Sequence, residues 1–427
     1  MKKRLLHIFL CLVFLTIFST VFDINVSAAL SARSIGLGDD FTVIEGSEAL
    51  YGNPAAVNIE GNGFVMEFNT AGEFWNNVFV NDVISDNDKD DMINIADEDG
   101  LLVASKGTFG GTMGYGPVTL FVNGRNDGLY RLSPDLARLI IRGNEVEGVY
   151  DFAGTEGATA FYSDMGINYS FQLSEETLSS IRGDNFKAEN MYFGISYHYL
   201  SGGFARYNGT GGFEIGYDEN NDLFLEGNDG SIVAYYTDMD DYSDAAVGHS
   251  FDLGVYSDYD ERYSWGISIL NIGGTMTADQ MRKYEYTFEY DEANDEWVTT
   301  EPPEDGELVN EEMEYKLPLI VKFGGKMDYN DKLDFLANYT ITNYGDDAFT
   351  DSYTDHKISA AAEYSGISYL PLRIGMNYST LQSDFDISAG AGLRLGHFRM
   401  DIGVSDLTGL FYSSKGAAAG LNFRLVF

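Results

Sequence analysis

Along the last twelve residues, GAAAGLNFRLVF (Gly416 to Phe427), apolar and polar positions alternate. Ala417, Ala419, Leu421, Phe423, Leu425 and Phe427 fall on one face; Ala418, Gly420, Asn422, Arg424 and Val426 fall on the other. Period two is the spacing of a strand whose two faces meet different surroundings. The same alternation runs from Phe398 to Val404, from Phe385 to Leu395, from Met191 to Tyr199 and from Met165 to Leu173. Several of these runs reach the ~9–11 residues of a tilted membrane strand, beyond the ~5–6 of an average soluble strand. Their second face is rich in Gly, Ser, Asn and charge, which suits a polar lumen.

Letting segments run alternately up and down from the C-terminus predicts strands near 416–427, 396–404, 384–395, 369–379, 356–364, 332–342 and 316–328. Further upstream they fall near 261–272, 249–257, 190–200, 163–173, 117–125, 102–114 and 63–70. That is about fourteen, an even number, as single-chain barrels have. Connections on one side are short, at Gly396, Ser365-Gly366, Asn330-Asp331, 258–261 and Gly116. On the other they are mostly long: 71–101, 126–162, 201–248, 273–315, 343–355 and 405–415. The 174–189 connection is long on the short side. The predicted fold is an all-β, transmembrane antiparallel barrel, with short periplasmic turns and long external loops. Helices are expected at 133–143, where Ser133 is an N-cap, Pro134 the first helical residue and Gly143 the stop, and from about Lys89. The carboxylate-dense run 288–315 reads as a solvated external loop.

The first thirty residues change the picture of where the chain goes. Lys2, Lys3 and Arg4 precede an apolar run from Leu5 to Phe22 and the small residues Val26-Ser27-Ala28-Ala29, the order of a secretion signal. The rival is an uncleaved anchor of the same ~18 residues; the small residues favour cleavage after Ala28 or Ala29. The expected division is 1–28 signal, 29–62 N-terminal plug and 63–427 barrel. Cys11, the sole cysteine, would leave with the signal, so no disulfide or thiolate site is expected. The formal charge of −41 argues against a nucleic-acid partner. Such acidity would suit a salty habitat, where screening weakens self-repulsion.

A wide barrel with polar walls is an open pore unless something fills it. The segment ARSIGLGDDFTVIEGSEALYGNPAAV (Ala32 to Val57) precedes the first strand and is compact and turn-rich. Its Ala32-Arg33, Gly36-Leu37-Gly38, Glu45 or Glu48, and Asn53-Pro54-Ala55 resemble the hatch of FadL-like outer-membrane proteins, a superfamily that includes PorV-type secretion proteins. Many members have Gly-Gly-Ala where this chain has Gly38-Asp39-Asp40. The loop 136–154 is similar to one in uncharacterised proteins with the same hatch. The resemblance implies a fourteen-stranded barrel in the outer membrane with the hatch in its lumen. A hydrophobic ligand would enter from outside and leave sideways through a gap in the wall. Gly36, Gly38, Asn53, Pro54 and Ala55 would set the hatch conformation, or merely lock a static plug. The aromatic end, Phe427, resembles the signature read by the barrel-assembly machinery, and lipids of the outer membrane are the other expected partner.

Candidate chemistry is sparse. No cofactor, metal or catalytic motif is expected, and the chain does not read as an enzyme; His7, His198, His249, His356 and His397 are isolated. His198 and His397 are assigned to lumen faces as solvated or hydrogen-bonded wall residues. Asp86, Asp88, Asp90, Asn94 and Asp97 echo a calcium loop, but Asp91 stands where glycine is required. Lys322, Arg373, Asp386, Arg394, Arg399, Asp401 and Arg424 should face the lumen, where charges tend to pair. They are either an ion-pair network tying wall to plug, or a strip in which Arg394, Arg399 and Arg424 orient a ligand carboxylate. The expected function is passive transport or binding of hydrophobic or amphipathic small molecules. The alternatives are docking of exported proteins and a structural barrel with a closed plug.

Overall fold

The computed structural model describes residues 31–427 apart from 60–62, 80–85, 144–147, 182–187, 218–222, 240–243, 292–295, 301, 304, 346–352 and 411–414. The expected signal, 1–28, lies outside the described residues. Fourteen of the described strands build the wall. They are β1 (Phe64–Asn76), β2 (Leu101–Tyr115), β3 (Val118–Leu132), β4 (Glu156–Gln172), β5 (Asn190–Tyr217), β6 (Ala246–Asp258) and β7 (Tyr263–Ala278). The second half comprises β8 (Leu319–Asn330), β9 (Leu333–Tyr344), β10 (Tyr353–Tyr364), β11 (Leu372–Ser379), β12 (Asp384–Leu395), β13 (Phe398–Val404) and β14 (Gly416–Val426). Each pairs antiparallel with the next, and β14 pairs with β1 from Val65 opposite Val426 to Trp75 opposite Gly416. The sheet is therefore closed, and its wall has no free edge.

Burial is inverted relative to a soluble barrel. On β1, Met66 is 41% and Phe68 45% exposed, whereas Glu67 and Asn69 between them are 3% and 1% exposed. On β11, Leu372, Ile374, Met376 and Tyr378 are exposed while Arg373, Asn377 and Ser379 are buried. An apolar exterior with a polar interior is the arrangement a bilayer requires of a closed sheet. No described helix is long and apolar enough to cross a membrane, which says nothing of a β-barrel.

Two expectations about loops are corrected. The regions 201–248 and 273–315 contain sheet. β5 extends to Tyr217 and pairs with Leu223–Thr237, which pairs with Met281–Asp291, which pairs in turn with Glu296–Thr300 and Glu307–Val309. Met313–Lys316 continues the ladder of β7. A register shift between Gly212 and Phe213 breaks the two-residue period there. In 281–291, Tyr284, Tyr286, Phe288 and Tyr290 do alternate with polar residues, beneath a high acid content. The calcium-like stretch forms the helix α2 (Asp86–Asp99), in the place where a helix is expected from about Lys89, following α1 (Ala32–Leu37). Successive helical residues point ~100° apart, so these carboxylates cannot converge as in a calcium loop. Helix α3 (Pro134–Arg142) starts and stops where its capping residues indicate: Ser133 Oγ accepts from Leu136 N–H, and Gly143 N–H donates to Leu139 O. It packs on α2 through Ala137, Met92 and Ala96, with Arg138 Nε donating to Asp97 at 2.8 Å.

Candidate functional site: the barrel interior

Residues 31–57 lie almost wholly buried, hydrogen-bonded to inward-facing wall residues. Ser31 caps α1, and Gly38 closes it at φ 85°, a left-handed conformation that a side chain rarely adopts. Asn53 is the pivot of the Asn-Pro-Ala turn. Its Oδ1 accepts from Ala55 N–H at 3.1 Å, while its Nδ2 donates to Thr42 O and to Val255 O on β6, both at 2.9 Å. Asn168 Nδ2 on β4 donates to Pro54 O at 3.1 Å. Wall and segment meet with little space between backbones. A Cβ on Gly194 would lie 2.2 Å from Pro54, one on Gly254 2.0 Å from Asn53 Oδ1, and one on Gly36 2.7 Å from Gly390.

Of the predicted lumen charges, Lys322 and Arg424 reach the N-terminal segment, whereas Arg373, Arg394, Asp386 and Asp401 meet other wall residues. Arg33 Nη2 donates to Glu363 Oε2 at 2.9 Å, and its Nη1 lies 3.5 Å from Glu48 Oε2. Arg373 bridges Glu363 at 3.4 Å and Asp401 at 2.5 Å. Arg394, Arg399 and Arg424 stand directly opposite one another on β12, β13 and β14, with Glu67 next in the row on β1. Like charges side by side repel. Here Arg394 lies 3.5 Å from Glu363, and buried Arg424 lies 3.9 Å from Glu48. Lys322 reaches Asp40 at 3.6 Å, and Asp386 accepts from Asn377, Ser388 and the Asp406 N–H. Burial alone would raise the Asp39 carboxyl. Lys357, Lys322 and hydrogen bonds from Asn338 and Ser359 hold it below the usual range. Burial, which Lys322 offsets only in part, pushes Asp40 above that range, and the charge of Asp39 adds to the rise.

On the long-loop side of the Asn-Pro-Ala turn, four wall strands contribute a linear charge chain. Arg125 Nε on β3 lies 2.9 Å from Asp164 Oδ2 on β4. Asp164 Oδ1 meets His198 Nδ1 on β5 at 2.8 Å, and His198 Nε2 meets Asp252 Oδ2 on β6 at 2.9 Å. His198 was legible as an inward wall residue, but its partners were not. His397 is corrected: it sits exposed in the β12–β13 turn, stacked on Phe427, because the turn projects it past the rim.

Beyond the charge chain lies a second apolar cluster; the first joins Leu37, Phe41, Val43 and Leu50 of the N-terminal segment to Phe121, Tyr256 and Leu336 of the wall. Tyr162, Leu200, Phe204, Met276, Tyr315 and Leu317 belong to the second cluster, with the Phe204 and Tyr315 rings 5.8 Å apart. Polarity predicts nothing of this cluster, since its residues come from wall strands and from a segment read as loop. A space of about 30 Å³ lies beside Tyr315, between Lys106, Asp127, Leu129 and Tyr344. A larger one, of about 260 Å³, lies at the short-turn rim between Ser47, Asn58, Thr119 and Phe427.

The wall beside the apolar cluster is irregular. The β6–β7 register shifts twice between His249 and Leu253, and Asn271 and Gly273 take φ of 62° and 67°. The β7–β8 ladder ends at Leu270 opposite Ile320, where Pro318 brings no N–H. Leu317 N–H reaches Gly274 O at 2.8 Å, and Asn271 Nδ2 reaches Pro318 O at 2.9 Å.

No protein-family model and no curated protein matches the chain. Among solved structures it is similar to the toluene transporter TbuX of Ralstonia pickettii, at 12% identity over 94% of this chain and 99% of that one, with a TM-score of 0.52. It is similar also to the CymD monoaromatic hydrocarbon channel, at 11% identity over 94% and 98% of the two chains, with a TM-score of 0.52. A TodX deltaS2S3 mutant monoaromatic hydrocarbon channel gives 11% over 93% and 97%, at 0.51. The chain carries the fold of these hydrocarbon-channel barrels.

Proposed function

We propose that the chain is an outer-membrane channel through which hydrophobic small molecules pass passively. The observation that carries the reading is an apolar cluster inside a polar-walled barrel, bordered by the wall irregularity at Asn271–Gly274. A water-filled pore has no use for Phe204, Met276 and Leu317 in its interior, whereas an apolar solute gains from leaving water there. The named relatives by fold, a toluene transporter and monoaromatic hydrocarbon channels, support it. In this reading residues 31–57 are the plug: they block the straight route, and the solute leaves sideways at Asn271–Gly274. Gly36, Gly38, Asn53, Pro54 and Ala55 hold that plug in place. Arg424 anchors the wall to it through Glu48, and Arg394 supports Glu363, which holds Arg33 of the plug, in preference to binding ligand; Arg399 stands between them in the same row. Phe427 addresses the chain to the assembly machinery, and the apolar belt takes up outer-membrane lipid.

The test is uptake of radiolabelled toluene by a host without such a channel, with and without the full chain in its outer membrane. The reading expects faster uptake with the chain, and faster still for Tyr315→Ala, which opens space in the apolar cluster. Uptake equal to the empty vector for both would overturn it.

A further inference from the structure

The Arg125–Asp164–His198–Asp252 chain is used by no step above, and it ends on the wall irregularity. Asp252 Oδ1 accepts the backbone N–H of Asn271 at 2.8 Å. Asn271 is one of three non-glycine residues among those described with positive φ. On its β8 side the ladder is interrupted over 271–274, between Leu270 opposite Ile320 and Thr275 opposite Lys316. Asp252 is therefore a tether at this interruption in the wall.

The state of that tether depends on one proton. Both nitrogens of His198 face carboxylate oxygens, at 2.8 and 2.9 Å. A neutral imidazole has a single N–H and can donate to only one of them; the doubly protonated ring satisfies both. With the proton, charges alternate along the chain and sum to zero. Without it, Asp164 keeps Arg125 at 2.9 Å, while Asp252, 4% exposed, keeps no cation among the described residues. A buried carboxylate with no counter-charge draws water or moves toward it. The remaining titratable groups facing the cluster do not replace the lost charge. Tyr51 from the N-terminal segment lies under Arg125, and Tyr162 donates to Asp127 at 2.9 Å.

We infer that His198 is a positioning residue for the proposed lateral exit, a proton-dependent clasp that keeps Asp252 on Asn271 when charged and loosens Asn271–Gly274 when neutral. The inference rests on the proposed exit for its meaning but not for its measurement. Hydrogen exchange of the full chain in detergent micelles, read by mass spectrometry on peptides spanning 265–280, follows the tether without any transport. After correction for the intrinsic pH dependence of exchange, protection at 271–274 should fall roughly tenfold between about pH 5 and about pH 11. His198→Gln and Asp252→Asn should both remove that dependence, with closed barrels verified by heat-dependent electrophoretic mobility. A flat profile in the native chain would overturn the inference, as would an unchanged profile in whichever variant folds. Transport failure with the exchange behaviour intact would instead count against the proposed function alone.

Discussion

At the scale of single residues, Asn53 does more than its place in a three-residue turn suggests. One buried side chain caps its own turn and binds two carbonyls, one in the N-terminal segment and one in the wall. Asn53→Ala leaves both carbonyls without that donor, and unsatisfied buried groups cost ~1–3 kcal/mol each. We expect a loss of about 2–4 kcal/mol, read as a lowered melting temperature in detergent, with the larger part recovered in Asn53→Asp only if a proton restores the donor. The Asn-Pro-Ala motif was visible in the sequence because its residues are adjacent. The charge pairs were not. Arg33 meets Glu363 across the lumen, and His198 meets Asp164 and Asp252 on its two neighbouring strands, across intervals of sequence that only the folded barrel brings together. Alternation indicated which residues point inward but carries no information on which inward residues meet.

At the scale of elements, the wall strands were legible because each has one face toward lipid and one toward the lumen, so their apolar residues recur at every second position. The strand over Asp384–Leu395 falls where that period placed it, and most others are longer at their outer ends. Outside the bilayer the two faces see similar surroundings, the period loses its cause, and the strands beyond Leu200 read as loop. These outer strands pair with one another and with the extension of β5, and they take no part in closing the ring. Replacing 284–308 by a short Gly-Ser linker should therefore leave a closed barrel, with heat-dependent mobility on electrophoresis retained. Loss of that mobility shift would mean the outer sheet is needed for closure.

At the scale of the whole molecule, three layers follow one another along the barrel axis. The N-terminal segment and its arginine–carboxylate contacts fill the short-turn half, the Arg125-to-Asp252 chain crosses the middle, and the apolar cluster lies toward the long connections. Under the proposed function, the buried N-terminal segment and the charge chain leave a hydrophobic solute no straight path, so the wall beside the apolar cluster is the proposed route. That claim can be tested by fastening the wall. A Cβ at Gly274 would lie 3.1 Å from Leu317 Cβ, close enough for small shifts to reach disulfide geometry. The sole native cysteine, Cys11, lies in the expected signal, so it would not compete. The decisive measurement is toluene uptake by the Gly274→Cys, Leu317→Cys chain before and after reduction. The account predicts slow uptake when oxidised and recovery when reduced; equal uptake in both states would contradict it.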